Sequence, residues 1–365
     1  MKKVAILVLI WVLISSALTV QTVFGEEYYL KVITDTDEYI YYYPEVYLSN
    51  GEYRLNGKSQ KIERICADSL VLPINASVKT TSDKKNRFIV TNESNGRVID
   101  DEFLSMQIDT ALKKGQKEIR VVYRELYAEM DSAYINRCLN LRSSFSTDYS
   151  SSNEERKFNI SLACQKINGT ILFSNEEFSF NKIVGKRTQE NGYKTAKTIE
   201  NGVFVDGVGG GVCQVSTTLY NAVLLGGLKI SEYHPHSLSV GYVEKSFDAM
   251  VTDLWADLKF VNNTGGLAFV FAEANGEKLT VWIYGTKKTC DYERESVVEE
   301  EILPETFIEE VDGLLTGETV VKVKGKSGFK SKGYLKIYYK GNLLDRVLIR
   351  ADEYKKIDEV VLCGA

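Results

Sequence analysis

One cysteine and the chain's two histidines lie close together in the sequence, and these residue types can perform acyl-transfer chemistry. Cys213 follows the glycine run 209–211, and His234 and His236, the only histidines in 365 residues, come roughly twenty residues later. A thiol at a helix N-terminus has a lowered pKa, because the helix dipole and the free N–H groups stabilise the thiolate. A nearby imidazole would take and return the proton. The spacing therefore predicts a thiolate nucleophile with a histidine base.

The elements around Cys213 must present its sulfur at a strand-to-helix junction. Gly210 and Gly211 permit a tight turn and a close backbone approach, and their amides are candidates for an oxyanion hole. Apolar residues recur with helical spacing over 214–225 and stop at Gly226. Three residues of this predicted helix are candidates for substrate contact by position alone: Gln214, Ser216 and Tyr220.

Other interpretations of these residues stay open. Cys213 could be a small buried residue at a crowded helix start, as single cysteines often are. Ser216 falls on the first helical turn, where capping explains it equally well. A metal site made of Cys213, His234 and His236 is disfavoured because proline stiffens the His-Pro-His link and no fourth ligand is evident. We predict neither a metal nor a cofactor.

The first residues have the features of a targeting segment. Lys2 and Lys3 precede a mostly apolar stretch over 4–20, and small residues suited to signal peptidase follow near Gly25. We predict a signal peptide over residues 1–25, and an uncleaved membrane anchor is the alternative. The chain would then contact a membrane only through this segment.

Composition excludes several protein classes. With 45 basic and 50 acidic residues the formal net charge is −5, which does not fit a nucleic-acid-binding protein. The six cysteines show no CxxC spacing and are spread too thinly for a disulfide scaffold. No disulfide pairing can be derived from their positions.

The chain is predicted to be a multidomain α+β protein. Residues 26–136 form a small α/β domain with a strand at 88–91 and a helix from Asp100 or Asp101 to Lys114. Residues 143–285 form a central module of helices and antiparallel strands, with a helix capped by the box 152–155 and a hairpin at 275–276. Residues 291–312 carry ten acids and are predicted to be a linker, followed by a small β-rich domain over 318–365 with a hairpin at 340–342.

A series of short motifs is spread in order through residues 143–285. They are Arg156 with Asn159-Ile160, Phe178-Ser179-Phe180-Asn181, Gly185-Lys186-Arg187-Thr188, Gly192-Tyr193, Gly209 to Ala222, Pro235-His236-Ser237, Asp248-Ala249, and Asp257-Leu258 with Phe260 and Asn262. Together they resemble the VanW family of bacterial cell-envelope proteins, some members of which are implicated as L,D-transpeptidases that crosslink peptidoglycan stems through a cysteine acyl-enzyme. Residues 318–365 resemble a G5 domain, and residues 26–136 loosely resemble a peptidoglycan-binding domain.

The VanW resemblance implies roles for particular residues. Cys213 would be the nucleophile that attacks a diaminopimelate carbonyl next to a D-alanine leaving group, with His236 as the preferred base and His234 as the substitute. Asp248 or Asp257 would orient the imidazole, as the third member of a triad does. Each acid is also explained as a turn or capping carboxylate. A further basic residue would bind a stem carboxylate, with a surface ion pair as its alternative explanation: Arg187.

The sequence thus predicts a cell-wall acyl transferase whose partners are peptidoglycan stem peptides. It would form 3→3 crosslinks as an L,D-transpeptidase, or act as an L,D-carboxypeptidase if water is the acceptor. The alternative is a non-catalytic peptidoglycan-binding envelope protein linked to glycopeptide resistance or wall maintenance. Either function places the chain outside the cell, associated with the wall.

Overall fold

The structure, a computed structural model, describes residues 28–57, 60–81, 83, 85–200 and 203–364. The predicted targeting segment 1–25 lies outside the described residues. Within the described ranges, no helix has the length and apolar character needed to cross a membrane. The chain forms two compact units, one of residues 91–131 with the described residues up to 77, and one of residues 78–90 with those from 132 onward. The predicted multidomain α+β class is confirmed.

In the first unit, helices pack on a three-stranded sheet of order β2-β1-β8. The predicted helix after residue 100 is confirmed, and the Asp100 side chain caps it by accepting a hydrogen bond from the Phe103 N–H at 2.9 Å. In chain order the elements up to residue 131 are β1 (Leu30–Ile33), β2 (Glu38–Tyr41), β3 (Val46–Ser49), β4 (Glu52–Leu55), α1 (Gln60–Asp68), β5 (Ser77–Thr80), β6 (Phe88–Thr91), β7 (Gly96–Val98), α2 (Asp101–Lys113), β8 (Glu118–Arg120) and β9 (Arg124–Leu126).

The segment 78–90, which the sequence analysis includes in the first domain, belongs to the second unit. Phe88 explains why: its ring makes edge contacts with Phe269 and Tyr284, at centroid distances of 4.9 and 5.3 Å. The strand at 88–91 is confirmed. The alternation of side chains in this strand predicts the strand itself, but it does not show which of the two units the strand packs against.

The second unit contains a four-stranded antiparallel sheet of order β10-β18-β17-β11, on which α4 and α6 pack. The predicted helix over 214–225 and the hairpin at 275–276 are both confirmed. Its elements up to residue 285 are α3 (Ser132–Arg137), β10 (Asn140–Asp148), α4 (Glu154–Ile167), β11 (Thr170–Leu172), β12 (Glu177–Ser179), α5 (Phe180–Val184), β13 (Thr195–Glu200), β14 (Val203–Val208), α6 (Val212–Leu225), β15 (Lys229–Glu232), β16 (Lys259–Val261), β17 (Ala268–Ala274) and β18 (Lys278–Gly285).

The cap of α4 differs from the predicted capping box. Asn153 is the N-cap, and its side chain accepts a hydrogen bond from the Arg156 N–H at 3.0 Å. Ser152 instead accepts a hydrogen bond from the Arg156 guanidinium at 2.5 Å. The cap therefore lies one residue later than predicted, and it helps to fix an arginine beside the glycine loop.

The remainder of the second unit is β-rich, and the predicted hairpin at 340–342 is confirmed. Residues 291–312 contribute to two long strands instead of a linker. Lysines on the neighbouring strand explain this: Lys330 pairs with Glu300 at 2.7 Å and Lys332 with Glu299 at 2.6 Å, which compensates the crowded acids. The strands are β19 (Asp291–Ile302), β20 (Thr306–Thr316), β21 (Thr319–Val323), β22 (Gly328–Tyr339), β23 (Asn342–Tyr354) and β24 (Glu359–Gly364), in sheets ordered β19-β22-β23 and β20-β24-β21.

Candidate active site

Cys213 is the second residue of α6, directly after a glycine loop that is packed against its neighbours. Gly211 has a left-handed φ of 105°, and a Cβ there would lie 2.9 Å from Cγ of Arg156. A Cβ on Gly210 would lie 2.6 Å from the carbonyl oxygen of Lys197. Both glycines are therefore required by close packing. They hold the helix start against α4 and β13.

The first turn of α6 leaves a backbone donor beside the sulfur. The Val212 N–H donates to the Gly209 carbonyl at 3.1 Å, and the Gln214 N–H donates to the Gly211 carbonyl at 3.0 Å. Within the described part of the chain, the Cys213 N–H has no hydrogen-bond acceptor. Free N–H groups are typical of a helix start and suit an oxyanion.

His236 connects Cys213 to Asp248. The Nδ1 atom of His236 lies 2.6 Å from Oδ2 of Asp248, and its backbone N–H donates to the same oxygen at 2.7 Å. Both side chains are buried, with 5% and 1% exposed. Since Nδ1 is committed to the carboxylate, Nε2 is the ring nitrogen available to the Cys213 sulfur, which itself donates to the Val251 carbonyl at 3.4 Å. His236 therefore interacts with both the Cys213 thiol and the Asp248 carboxylate.

The protonation states of these groups follow from their mutual contacts. Burial alone would raise the pKa of the Cys213 thiol, but the hydrogen bond and positive charge of His236 outweigh it and lower the pKa. Burial opposes the charge on His236, yet Asp248 and the Cys213 sulfur together raise its pKa to about 9. Burial would raise the pKa of Asp248, but His236 lowers it to about 2. The arrangement favours a thiolate beside an imidazolium.

The sulfur faces an open cavity of about 440 Å³ that carries several cationic side chains. Basic residues of widely separated elements line it: Arg156, Arg187, Lys197 and Lys326. Among the described residues that line it, Asp253 is the one acid. The cavity therefore suits an anionic ligand, such as a peptide with free carboxylates.

Arg187 is only partly satisfied by the protein. Its Nε lies 2.9 Å from Oδ1 of Asp253, and its Nη1 donates to Oδ1 of Asn181 at 2.8 Å. Its buried Nη2 has no hydrogen-bond partner among the described residues. A buried guanidinium N–H normally has an acceptor. The free Nη2 is therefore consistent with a carboxylate ligand at this end of the cavity.

Two predicted residues lie outside this arrangement. The Nε2 atom of His234 lies 3.0 Å from Oε1 of Glu232, and its ring meets Trp255 edge-on at 5.1 Å, away from the cavity. Asp257 accepts hydrogen bonds from Ser179 Oγ at 2.6 Å and from the Asn181 N–H at 2.9 Å. Its carboxylate therefore holds the start of α5 and does not orient the imidazole.

Cys213, His234 and His236 consequently do not converge on one point. Nowhere in the described ranges do three or more His, Cys, Asp or Glu side chains form a group that could hold a metal ion.

The three candidates on α6 are engaged in packing. The Gln214 amide borders the cavity, but its Nε2 donates to Thr147 Oγ1 and to the Asp148 carbonyl, while its Oε1 accepts from Arg156. Ser216 Oγ donates to the Ala249 carbonyl at 2.6 Å, inside the protein. Tyr220 is 1% exposed and lies in the core. All three were predicted from sequence position, which does not distinguish the cavity side of a helix from its buried side.

Three residues near the site were missed by the sequence analysis. Tyr242 lines the cavity; burial, followed by the charge of Cys213, raises its pKa. The Tyr354 hydroxyl donates to Asp248 Oδ1 at 2.5 Å, and Arg350 Nη1 donates to the Asp248 carbonyl at 2.6 Å. These last two contacts span more than a hundred residues of sequence, so no local pattern could have indicated them.

Comparison with family models gives two matches. Residues 155–284 match the model described as VanW like protein, and residues 293–365 match the G5 domain model. The second match includes most of β19, in agreement with the strands found there.

Two curated relatives are similar to this chain. The uncharacterized protein YoaR of Bacillus subtilis (strain 168) is 37% identical over 174 residues, which is 47% of this chain and 57% of the relative. The vancomycin B-type resistance protein VanW of Enterococcus faecalis (strain ATCC 700802 / V583) is 29% identical over 141 residues, which is 37% of this chain and 51% of the relative. The chain thus spans just over half the length of each relative.

Two solved G5 structures also match. One is described as the IgA1 protease G5 domain, with 21% identity, a TM-score of 0.17 and coverage of 21% of this chain and 89% of the other. The second, HP0197-G5, has 17% identity, a TM-score of 0.15 and coverage of 21% and 100%. These TM-scores are too low to indicate a shared fold over the whole chain. The two family matches and the curated relatives establish that the chain carries a VanW-like domain followed by a G5 domain.

Proposed function

We propose that this protein is a cysteine acyl transferase that acts on peptidoglycan stem peptides in the cell envelope. The observation that carries the proposal is the interaction of His236 with both Cys213 and Asp248, where Cys213 at the start of α6 and His236 line a cavity of about 440 Å³. Thiolate nucleophile, general base and orienting carboxylate are the parts that acyl transfer requires.

The reaction divides into two steps. In the first, the Cys213 thiolate attacks a stem-peptide carbonyl, the C–N bond to a terminal D-alanine breaks, and the imidazolium of His236 gives its proton to the departing amine. In the second, the amine of a neighbouring stem attacks the thioester, the C–S bond breaks, and His236 takes the proton lost by the amine. These two steps form a 3→3 crosslink. With water in place of the amine, the protein would act as an L,D-carboxypeptidase.

Backbone and side-chain donors support the two tetrahedral intermediates and the donor peptide. The Cys213 N–H is available to the developing oxyanion. The unpartnered Nη2 of Arg187 would bind a free carboxylate of the stem, and Lys197 and Lys326 would add positive charge at the cavity wall. Stem peptides carry free carboxylates, so the charge of the cavity matches the proposed substrate.

The domain content supports an envelope location. Proteins with VanW and G5 domains are generally associated with the cell envelope, and G5 domains are associated with binding of cell-wall carbohydrate. The G5 domain would hold the protein on the wall while the VanW-like domain reacts with stems. Export would depend on residues 1–25, which lie outside the described residues.

Labelling and wall analysis of one variant test the proposal. A cysteine-reactive probe is expected to label Cys213 in the wild-type protein, and Cys213→Ala should lose both this labelling and the 3→3 crosslinked muropeptides. Cys290→Ala, which changes a thiol outside the cavity, should retain both. Unchanged muropeptides together with absent Cys213 labelling would instead support a non-catalytic peptidoglycan-binding protein.

A further inference from the structure

The segment that carries His236 and Asp248 is held from outside the VanW-like domain. Between these two residues the chain runs through a largely irregular stretch. Three backbone groups of this stretch bond to the G5 domain: the Ser237 carbonyl accepts from the Lys355 N–H at 2.8 Å, the Ser239 carbonyl from Lys326 Nζ at 2.6 Å, and the Ser246 N–H donates to the Tyr354 hydroxyl at 2.8 Å. The residues just before β22 and at the end of β23 therefore support this stretch.

Ser246 shows how tight this support is. It has a left-handed φ of 60°, uncommon for a residue with a side chain, and it is fully buried two residues before Asp248. Its Oγ lies 2.8 Å from Ser331 Oγ, and a Cβ on Gly333 would lie 2.8 Å from its carbonyl oxygen. Strand β22 of the G5 domain therefore packs closely against this strained residue, two positions before Asp248.

Two side chains extend the contact to the carboxylate itself. Tyr354 accepts from Ser246 and donates to Asp248 Oδ1 at 2.5 Å, while the other oxygen, Oδ2, bonds to His236. Arg350 donates to the Asp248 carbonyl at 2.6 Å, and its Nη2 lies 3.5 Å from Oδ1. Arg350 is in turn fixed by Asp352 at 2.6 Å. Thus Oδ2 of Asp248 bonds to the VanW-like domain, and Oδ1 bonds to the G5 domain.

We propose that Tyr354 and Arg350 of the G5 domain are positioning residues for the acyl-transfer site, so that the G5 domain completes the active site. They act through Asp248, which they hold at the angle that His236 requires. The inference rests on the proposed function, because it assigns these residues to the same reaction. It makes the G5 domain part of the catalytic unit in addition to any role in wall binding.

Alkylation of Cys213 by iodoacetamide as a function of pH tests the inference, measured by peptide mass spectrometry on the full chain. Tyr354→Phe and Arg350→Met each remove a hydrogen bond that holds Asp248, so the carboxylate can turn away from His236, which destabilises the imidazolium and with it the thiolate. We expect the midpoint of the alkylation profile to rise by about one pH unit in Tyr354→Phe, with about tenfold slower alkylation below both midpoints, and to rise further in Arg350→Met.

Each variant changes a single residue and leaves the other charged and titratable groups that face this network unchanged. They are Arg156, Arg187 and Tyr242 around Cys213, and Tyr220 and Asp352 around Arg350. Tyr338→Phe and Arg346→Met are matched controls from β22 and β23, because both side chains bond to surface glutamates. The controls should keep the wild-type midpoint.

The outcomes separate the two proposals. A purely structural role would lower the melting temperature of Tyr354→Phe while its alkylation midpoint stayed at the wild-type value, and that result would overturn the inference. Should Arg350→Met not fold, Tyr354→Phe alone decides. A wild-type midpoint at the ordinary thiol value of about 8.5 would instead contradict the proposed function itself.

Discussion

This protein has two pairs of a histidine and a carboxylate, and the two histidines are only two residues apart in the sequence. The pairs differ in burial and in the other charges around them. His236 and Asp248 are nearly inaccessible, with 5% and 1% of their side chains exposed. His234 and Glu232 are each 28% exposed, and Glu232 also bonds to Lys259 at 2.7 Å. The first pair is buried where the VanW-like domain meets the G5 domain, with His236 at the cavity wall, whereas the second lies at the surface beside Trp255.

The difference shows how environment decides which pair can do chemistry. In the buried pair, little solvent screens the charges, so Asp248 raises the pKa of His236 strongly and the imidazolium can stabilise a thiolate. In the surface pair, solvent screens the attraction between the imidazole and the carboxylate, and Lys259 competes for Glu232. Residue type alone would have made the two pairs equivalent.

The largest effect is expected from removing one histidine or the other. His236→Ala takes away the base and the partner of the thiolate, so crosslinking activity should fall about a thousandfold or more. His234→Ala should stay within about threefold of wild type, because its ring contacts Glu232 and Trp255 and not the cavity. Muropeptide formation by the purified variants measures both. Equal losses of activity in the two variants would contradict the conclusion that only the buried pair takes part in the reaction.

The carboxylates should differ next. Asp248→Asn disturbs the tautomer and orientation of His236, and we expect a loss of activity of about a hundredfold or more with the fold retained. Asp257→Asn should leave activity nearly unchanged and lower the free energy of unfolding by about 1–2 kcal/mol, since this carboxylate accepts bonds at the start of α5. Turnover and denaturant midpoints of both variants give the comparison. An inactive but fully stable Asp257→Asn would contradict it.

The pH dependence should follow the buried pair. Cys213 ionises below the ordinary thiol range, and His236 keeps its proton up to about pH 9, so activity should form a plateau below pH 9 and fall about tenfold per unit above it. A pH–rate profile of kcat/KM measures this. A profile still rising at pH 9 would contradict the assignment.

Stability gives an independent check of the same groups. The folded pKa of His236 is raised, so its stabilising contribution is complete below about pH 6.5 and is lost as pH rises through about 9. The folded pKa of Asp248 is lowered, so its contribution is present above about pH 4 and is lost as pH falls toward about 2. Denaturant midpoints of wild type should exceed those of His236→Ala most between about pH 4 and 6.5. A difference independent of pH would argue against the ion pair.

An effect on stability and not on chemistry is expected in the glycine loop. Gly210→Ala would place a methyl group 2.6 Å from a backbone oxygen of Lys197, and we expect a loss of about 1–3 kcal/mol in the free energy of unfolding. Gly241→Ala is the matched control, because nothing lies within 4 Å of the added Cβ. Thermal or urea unfolding measures the difference. Equal stability of the two variants would show that the loop is not constrained by packing.

Much of the site could be predicted because its parts are encoded locally. Helical spacing indicated α6, and the glycine run placed Cys213 at its start. Asn275-Gly276 indicated the hairpin of β17 and β18. Such signals depend on residues that are close in the sequence, so they can be recognised before the fold is known.

What sequence could not supply depends on packing between distant elements. Neither Asp248 nor Asp257 carries a local signal that shows which one reaches His236. Arg350 and Tyr354 lie on a strand more than a hundred residues from the carboxylate that they hold. The acid-rich segment at 291–312 was predicted as a linker because its stabilising lysines belong to another strand.

The most direct test of the central claim is to detect the covalent intermediate. The full-length protein would be incubated with a disaccharide tetrapeptide donor whose diaminopimelate amine is acetylated, so that no acceptor amine is present, then quenched in acid and analysed by intact-protein and peptide mass spectrometry. The account predicts an adduct on Cys213 with the mass of the donor minus D-alanine, released by hydroxylamine and absent from Cys213→Ala. Turnover of the donor without any adduct on Cys213, or with an adduct on another residue, would contradict it.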